Sequence, residues 1–224
     1  MITYTPIRRF NLTIATSPKC GCQTMSRIIR RIFKHPFYPT YQCGLPTENK
    51  ELRQLQKEKF LAVLDSVKGD LVLASRNPIK RVVSCYNYMI AGNHHYTSLP
   101  SGLQWFKEPI ESALNKNLFD ISLTEFINYI HDTPDHLRDI HFATQSFLVE
   151  DIDFDKIINV ETFGTDMQGI ISEYGLPVCM PAHIQKNKTN YIKINPEEIT
   201  QNLIDKIYAI YAKDFSKFGH TKLS

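Results

Sequence analysis

A chain of 224 residues with 42% apolar and 11% aromatic content can build one domain with a proper core, which excludes a largely disordered or fibrous protein. Its formal charge of +3 is too small to mark a nucleic-acid binder, although it suits an anionic ligand. Five cysteines, an odd number without dense spacing, exclude a disulfide scaffold and fit reduced thiols in a cytosol.

The apolar stretch behind Arg8 and Arg9 is short and is broken by Pro18 and Lys19, so no secretory leader is read there. No run reaches the length of a membrane span. Repeats, low-complexity tracts and linkers are absent, and a single domain over residues 1–224 is expected.

In chain order, Asn11 to Thr16 is short, β-rich and closed by Ser17-Pro18, which predicts a strand running into a loop. Met25, Ile28, Ile29 and Ile32 recur at helical spacing between Thr24 and Phe33, with Arg27, Arg30 and Arg31 on the other side. Asn49 caps a helix from about Lys50 to Val67, ended by Gly69. Asp70 to Ser75 is a second buried strand, and Pro78 opens a helix through about Ile90. Ala91 to Leu118 lacks a clear period and is predicted as mostly loop, followed by a short helix from Ser122 to His131. Asp155 to Val160 is a third strand. Phe163 to Tyr174 is a helix stopped by Gly175 and Pro177. Pro181 to Ile194 is polar and irregular, and Pro196 opens a last helix with Ile199, Leu203, Ile207, Ile210 and Tyr211 on one face. Strands separated by helices predict an α/β fold, a parallel sheet covered on both faces.

Two segments carry chemistry. The first is Pro18-Lys19-Cys20-Gly21-Cys22-Gln23-Thr24, set between a strand and a helix. Free N–H groups and the positive dipole end at a helix start favour phosphate or sulfate. Gly21 allows close backbone approach, Lys19 brings a mobile charge, and Thr24 a hydroxyl donor. An ordinary strand-to-helix turn with a solvated lysine is the plainer alternative. A metal or redox site at Cys20 and Cys22 would need a second ligand pair at zinc spacing, which is missing. An ATP-type loop places its lysine after the glycines, and no such string occurs.

The second segment is Arg76-Asn77-Pro78, followed by a helix that carries Ser84. Ligands of α/β proteins collect at the carboxyl ends of parallel strands, where Arg76 falls. Its guanidinium can clamp phosphate oxygens in two places, and Ser84 lies about two turns along the helix. Alone, Arg76 could be a surface ion pair, and Ser84 could bond back to its own helix.

With lysine before glycine, the first segment resembles the phosphate loop of sulfotransferases that use PAPS (3'-phosphoadenosine-5'-phosphosulfate). Cys22 resembles the carbohydrate branch, while Gln23 departs from its usual Thr or Ser. Arg76 followed by seven residues and Ser84 matches the family's 3'-phosphate site. His141-Phe142-Ala143-Thr144-Gln145, the Asp153 to Ile158 stretch with Glu161, and the closing Ile210 to His220 segment resemble chondroitin- and HNK-type members. There Phe142 stands for tryptophan and His220 for tyrosine.

The resemblance implies a P-loop-like sulfotransferase fold and sulfuryl transfer from PAPS to a hydroxyl, with PAP as product and no metal. It implies donor contacts at Lys19, Cys20, Gly21, Cys22, Gln23, Thr24, Arg76 and Ser84. Asn187 and Lys188 sit where relatives close a loop over the nucleotide, or else in an ordinary solvated loop. Lys19 would neutralise the leaving oxygen. In relatives the general base is a His or Glu between the two segments, an interval that here offers His35, Glu48, Glu51 and Glu58; Glu48 is the first choice, with His94 and His95 next. A carbohydrate or glycolipid acceptor is expected, with no nucleic acid or membrane span and an unreadable oligomeric state. The resemblance suits a cytoplasmic, bacterial protein unless the chain is trimmed from an anchored form. A non-catalytic PAP-binding protein is the rival reading, with a nucleotide kinase behind it.

Overall fold

The computed structural model describes residues 2–34, 39–43, scattered positions between 51 and 65, then 69–90, 104–149, 152–180 and 198–222. Its strands are β1 (Ile2–Ile7), β2 (Leu12–Thr16), β3 (Tyr41–Cys43), β4 (Asp70–Ser75) and β5 (Lys156–Asn159). They form one five-stranded sheet in the order β3-β1-β2-β4-β5. The three strands expected from sequence, β2, β4 and β5, are mutually parallel neighbours. β1 and β3 extend this parallel sheet in the antiparallel sense. Pro6 disguises β1 as a loop, since proline cannot donate to a ladder. The fold tolerates it because β3 pairs only with Ile2, Thr3 and Tyr4, leaving Pro6 unpaired on that side.

The described helices are α1 (Cys22–Phe33), α2 (Pro78–Met89), α3 (Gln104–Leu114), α4 (Leu123–Asp132), α5 (Gln145–Val149), α6 (Phe163–Glu173), α7 (Gln201–Ile210) and α8 (Ala212–Lys217). The described positions between 51 and 65 are helical as well. Alternation along β4 assigns the two faces of the sheet. Val72 and Ala74 join Ile14 and Ile158 under α1 and α6, against Met25, Ile28, Ile29, Met167 and Ile170. Leu71 and Leu73 point the other way, toward Leu148 and Val149 of α5 and toward Phe218. Each large aliphatic buried in this way contributes about 1.5–3 kcal/mol. A third cluster joins α2, α3, α4, α7 and α8 through Val82, Phe106, Phe126, Ile207 and Phe215. None of the described helices is long and apolar enough to cross a membrane.

Three helical expectations change. Residues 104–114, predicted as loop, form α3 despite Pro109, because Phe106 and Ile110 bury one turn apart. The last helix begins at Gln201 behind Thr200, whose hydroxyl accepts from the Leu203 N–H at 3.4 Å. Pro196 lies outside the described residues. The same helix breaks at Tyr211, where α8 takes over. At the start of β4, Gly69 leaves no room for a side chain. A Cβ built there would stand 2.0 Å from the carbonyl oxygen of Asn11, the oxygen that accepts from the Asp70 N–H.

Candidate functional site

The carboxyl ends of β2, β4 and β5 lie side by side, and each releases a loop onto the same edge of the sheet. β2 releases Ser17 to Gly21. Within this turn the Cys20 N–H donates to the Ser17 carbonyl at 3.2 Å. Lys19 and Gly21 hold φ of 65° and 73°. Lysine rarely adopts that region, at a cost of about 1–3 kcal/mol, so the surrounding contacts must fix the turn. Gly21 also ends the turn as N-cap of α1, two residues earlier than the sequence suggests. No side chain caps α1 and no acidic residue lies in its first turn, so the dipole end over Cys22, Gln23 and Thr24 stays positive.

β4 releases Arg76, and here the two predicted segments meet. Arg76 Nη1 donates to the Lys19 carbonyl oxygen at 3.1 Å. Its Nε is buried with no hydrogen-bond partner among the described residues, and Glu161 Oε1 stands 3.9 Å away. Glu161 follows β5 and accepts from the Asn77 N–H at 3.2 Å, so it ties the ends of two strands together. Asn77 then caps α2, its Oδ1 accepting from the N–H groups of Ile79 at 3.0 Å and Lys80 at 3.5 Å.

α2 presents Arg81, Ser84 and Tyr88 along one stripe, at helical spacing. Arg81 is 1% exposed and donates to three carbonyls, those of Pro18 at 3.3 Å, Ala143 at 2.6 Å and Ile140 at 3.1 Å. Tyr88 receives the Lys19 ammonium on its ring face, 3.7 Å from the centroid. Ser84 sits between two residues that both touch the loop, and it is half-buried there. Burial is the chief reason the Lys19 ammonium is held below the ordinary lysine pKa, and Arg76 and Arg81 push it the same way. Cys85 and Cys22 oppose them. The Arg76 guanidinium is lowered by burial as well.

The two cysteines of the loop part company. Cys22 is exposed, whereas the buried Cys20 thiol donates to Gln145 Oε1 at 2.8 Å. Burial raises its pKa, so it stays a thiol and a donor. His35, Glu48, His94, His95, Asn187 and Lys188 all lie outside the described residues. Of the other acids in the interval expected to hold the base, Glu51 and Glu58 are exposed, and Glu58 accepts from Gln54 Nε2 at 2.9 Å.

The structure adds Ser17, Arg81, Tyr88, Gln145, Glu161 and His220 to the neighbourhood of the two motifs. Helical spacing from Ser84 is the sequence signal for Arg81 and Tyr88, whereas Gln145 reaches the site only through tertiary contact. His220 Nε2 lies 2.8 Å from Ser75 Oγ, directly before Arg76. Burial lowers the His220 pKa, with Glu161 pulling in the opposite direction. A histidine with a lowered folded pKa binds fewer protons than the unfolded chain. Its share of stability is therefore full above the unfolded value of about 6.5 and is lost as pH falls through the interval below it. Denaturant midpoints at pH 7.5 and pH 5 should accordingly differ less in His220→Gln than in the parent. Equal differences would show that this histidine does not couple to folding.

A model of the sulfotransferase family matches residues 7 to 221. Searches of curated proteins and of solved structures return no match. The matched span covers both loop segments, the Gln145 segment and His220.

Proposed function

Because the chain belongs to the sulfotransferase family, we propose that it transfers a sulfuryl group from PAPS to a hydroxyl, with a carbohydrate or glycoconjugate as acceptor. Sulfuryl transfer is the family's chemistry; the donor and the acceptor class are our reading. The observation that carries it is the meeting of Arg76 with Lys19, with the Arg76 side chain still 25% exposed at the edge where the strands end. The guanidinium is only partly buried, so it can still pair with an anion at this edge, and a ligand phosphate would supply one. The residues present therefore fit a donor that carries phosphate at this edge of the sheet.

Bound PAPS supplies a sulfuryl group on a bridging oxygen, with PAP leaving as the acceptor oxygen bonds to sulfur. The rest belongs to the chain. Arg76 and Ser84 would hold the 3'-phosphate, and the uncapped start of α1 from Cys22 to Thr24 would face the anionic end of the donor. Lys19 would leave the Tyr88 ring to neutralise the bridging oxygen, since charge developing there is where a preformed cation helps most. Glu48 is the proposed base for the acceptor hydroxyl, with His94 and His95 behind it. Asn187 and Lys188 are proposed to close over the nucleotide. Catalysis of this kind rests on positioning and charge rather than covalent chemistry.

PAP release should be followed with PAPS and a panel of glycans, glycolipids and simple alcohols. Release that depends on a hydroxylated acceptor is the expected outcome. Tight PAP binding with no release against any acceptor would overturn the enzyme and favour a nucleotide-binding protein.

A further inference from the structure

We infer that Gln145 is a positioning residue that fixes Arg76 against the phosphate loop and thereby sets the preference for a 3'-phosphate. The inference rests on the donor site proposed above and adds to it a residue that touches neither donor nor acceptor. Gln145 is 1% exposed and opens α5, far from both motifs in sequence. Its carboxamide grips the Arg76 residue from both sides. Oε1 accepts from the Arg76 N–H at 3.2 Å, and Nε2 donates to the Arg76 carbonyl at 2.9 Å. The same Oε1 accepts from the Cys20 thiol at 2.8 Å, and Cys20 in turn accepts from Ser17 Oγ at 3.0 Å. One side chain thus joins the loop after β2 to the residue after β4.

Lone pairs decide how this cluster is wired. Gln145 Oε1 has two, and Cys20 and the Arg76 N–H fill them. Ser75 Oγ is 3.4 Å from the same oxygen but 2.8 Å from His220 Nε2, so its proton goes to the histidine. That assignment requires Nε2 to be unprotonated, in keeping with a His220 pKa lowered by burial.

Gln145 is itself held rigidly. The buried Asp214 carboxylate accepts from the N–H groups of Gln145 and Ser146, both at 2.7 Å. Arg81, bonded to the carbonyls of Ala143 and Ile140, braces the chain just ahead of it and reaches Pro18 of the loop. A residue anchored in this way, with its side-chain oxygen and nitrogen both hydrogen-bonded, transmits its own position to Arg76. Partners that orient the ligands of metal sites are worth about 10- to 100-fold in affinity, and the same order is expected for a side chain that orients Arg76.

The test compares PAP with ADP, which lacks the 3'-phosphate, by calorimetry on the full chain. Gln145→Met keeps the volume and removes the carboxamide. PAP affinity should fall by about tenfold or more while ADP affinity holds within about twofold. Gln145→Met combined with Arg76→Ala should bind PAP no more weakly than Arg76→Ala alone, since both act through one contact. Gln145→Glu serves as the conservative variant, and stands in if the methionine variant does not fold. A protonated carboxyl offers one acceptor and one donor where the amide had them, and burial raises its pKa. Divided by the parent's ratio at each pH, which removes the titration of the ligand phosphates, its PAP-to-ADP ratio should therefore be higher at pH 5 than at pH 8. Equal losses of PAP and ADP, an additive double variant, or a Gln145→Glu ratio indifferent to pH would overturn the inference. A parent chain that does not discriminate PAP from ADP would instead bring down the donor site itself.

Discussion

Lys19→Ala should lower the rate of sulfuryl transfer by about 10²–10³-fold and alter PAPS affinity far less, the range found when one preorganised donor to a developing oxyanion is removed. The asymmetry follows from where the ammonium rests. Without donor it lies 3.7 Å from the centre of the Tyr88 ring, so much of its interaction with the bridging oxygen must arise as charge develops there. Lys19 also carries a pH signature. Burial holds its pKa below that of an ordinary lysine, and Arg76 and Arg81 add to the effect. The charged form therefore prevails at low pH and is lost as pH rises through that lowered value. Activity should fall on the alkaline side earlier than an ordinary lysine near 10.4 would allow, and Lys19→Arg should remove that limb. The pH dependence of kcat/KM for PAPS, which reports the free enzyme, checks the alkaline limb, and single-turnover rates check the loss in Lys19→Ala. A Lys19→Ala enzyme with an unchanged rate would remove the lysine from the chemistry.

The second large effect is expected in binding. Arg76→Ala should weaken PAP by about 3 kcal/mol, roughly a hundredfold, and leave ADP almost unchanged. Truncating a half-buried guanidinium that pairs with phosphate leaves the anion without its partner, and only a ligand with the 3'-phosphate loses that contact. The same substitution removes the bond to the Lys19 carbonyl at 3.1 Å, so a small common loss in both ligands comes from the loop. Arg76→Lys should recover only part of the discrimination. Lysine offers a point charge where the guanidinium reaches the loop carbonyl and a phosphate together. Equal losses for PAP and ADP would place Arg76 in the scaffold rather than at the 3'-phosphate.

Much of this was legible from the residues because it is local. Asn11 to Thr16 and Asp70 to Ser75 are short apolar runs ended by Pro18 and Pro78, and both are strands. Pro78 behind Asn77 gave α2, and the spacing from Arg76 to Ser84 survives as a strand end facing a helix stripe. Failures came where tertiary contacts decide. β1 was hidden by Pro6, which is tolerated because β3 is too short to need its donor. α3 was hidden by Pro109, and burial of Phe106 and Ile110 overrides that proline. Gln145 matched the family pattern, but only the folded chain brings its carboxamide to Cys20 and Arg76. Arg81 carries no signal of its own in the sequence, and burial makes it the brace of the loop.

The donor site is the central claim, and a calorimetric titration of the intact chain with PAP and with ADP tests it most directly. A half-buried Arg76 completed by phosphate predicts that PAP binds about a hundredfold more tightly than ADP. PAP and ADP binding with equal affinity would contradict it, and the meeting of Arg76 with Lys19 would then be structural only.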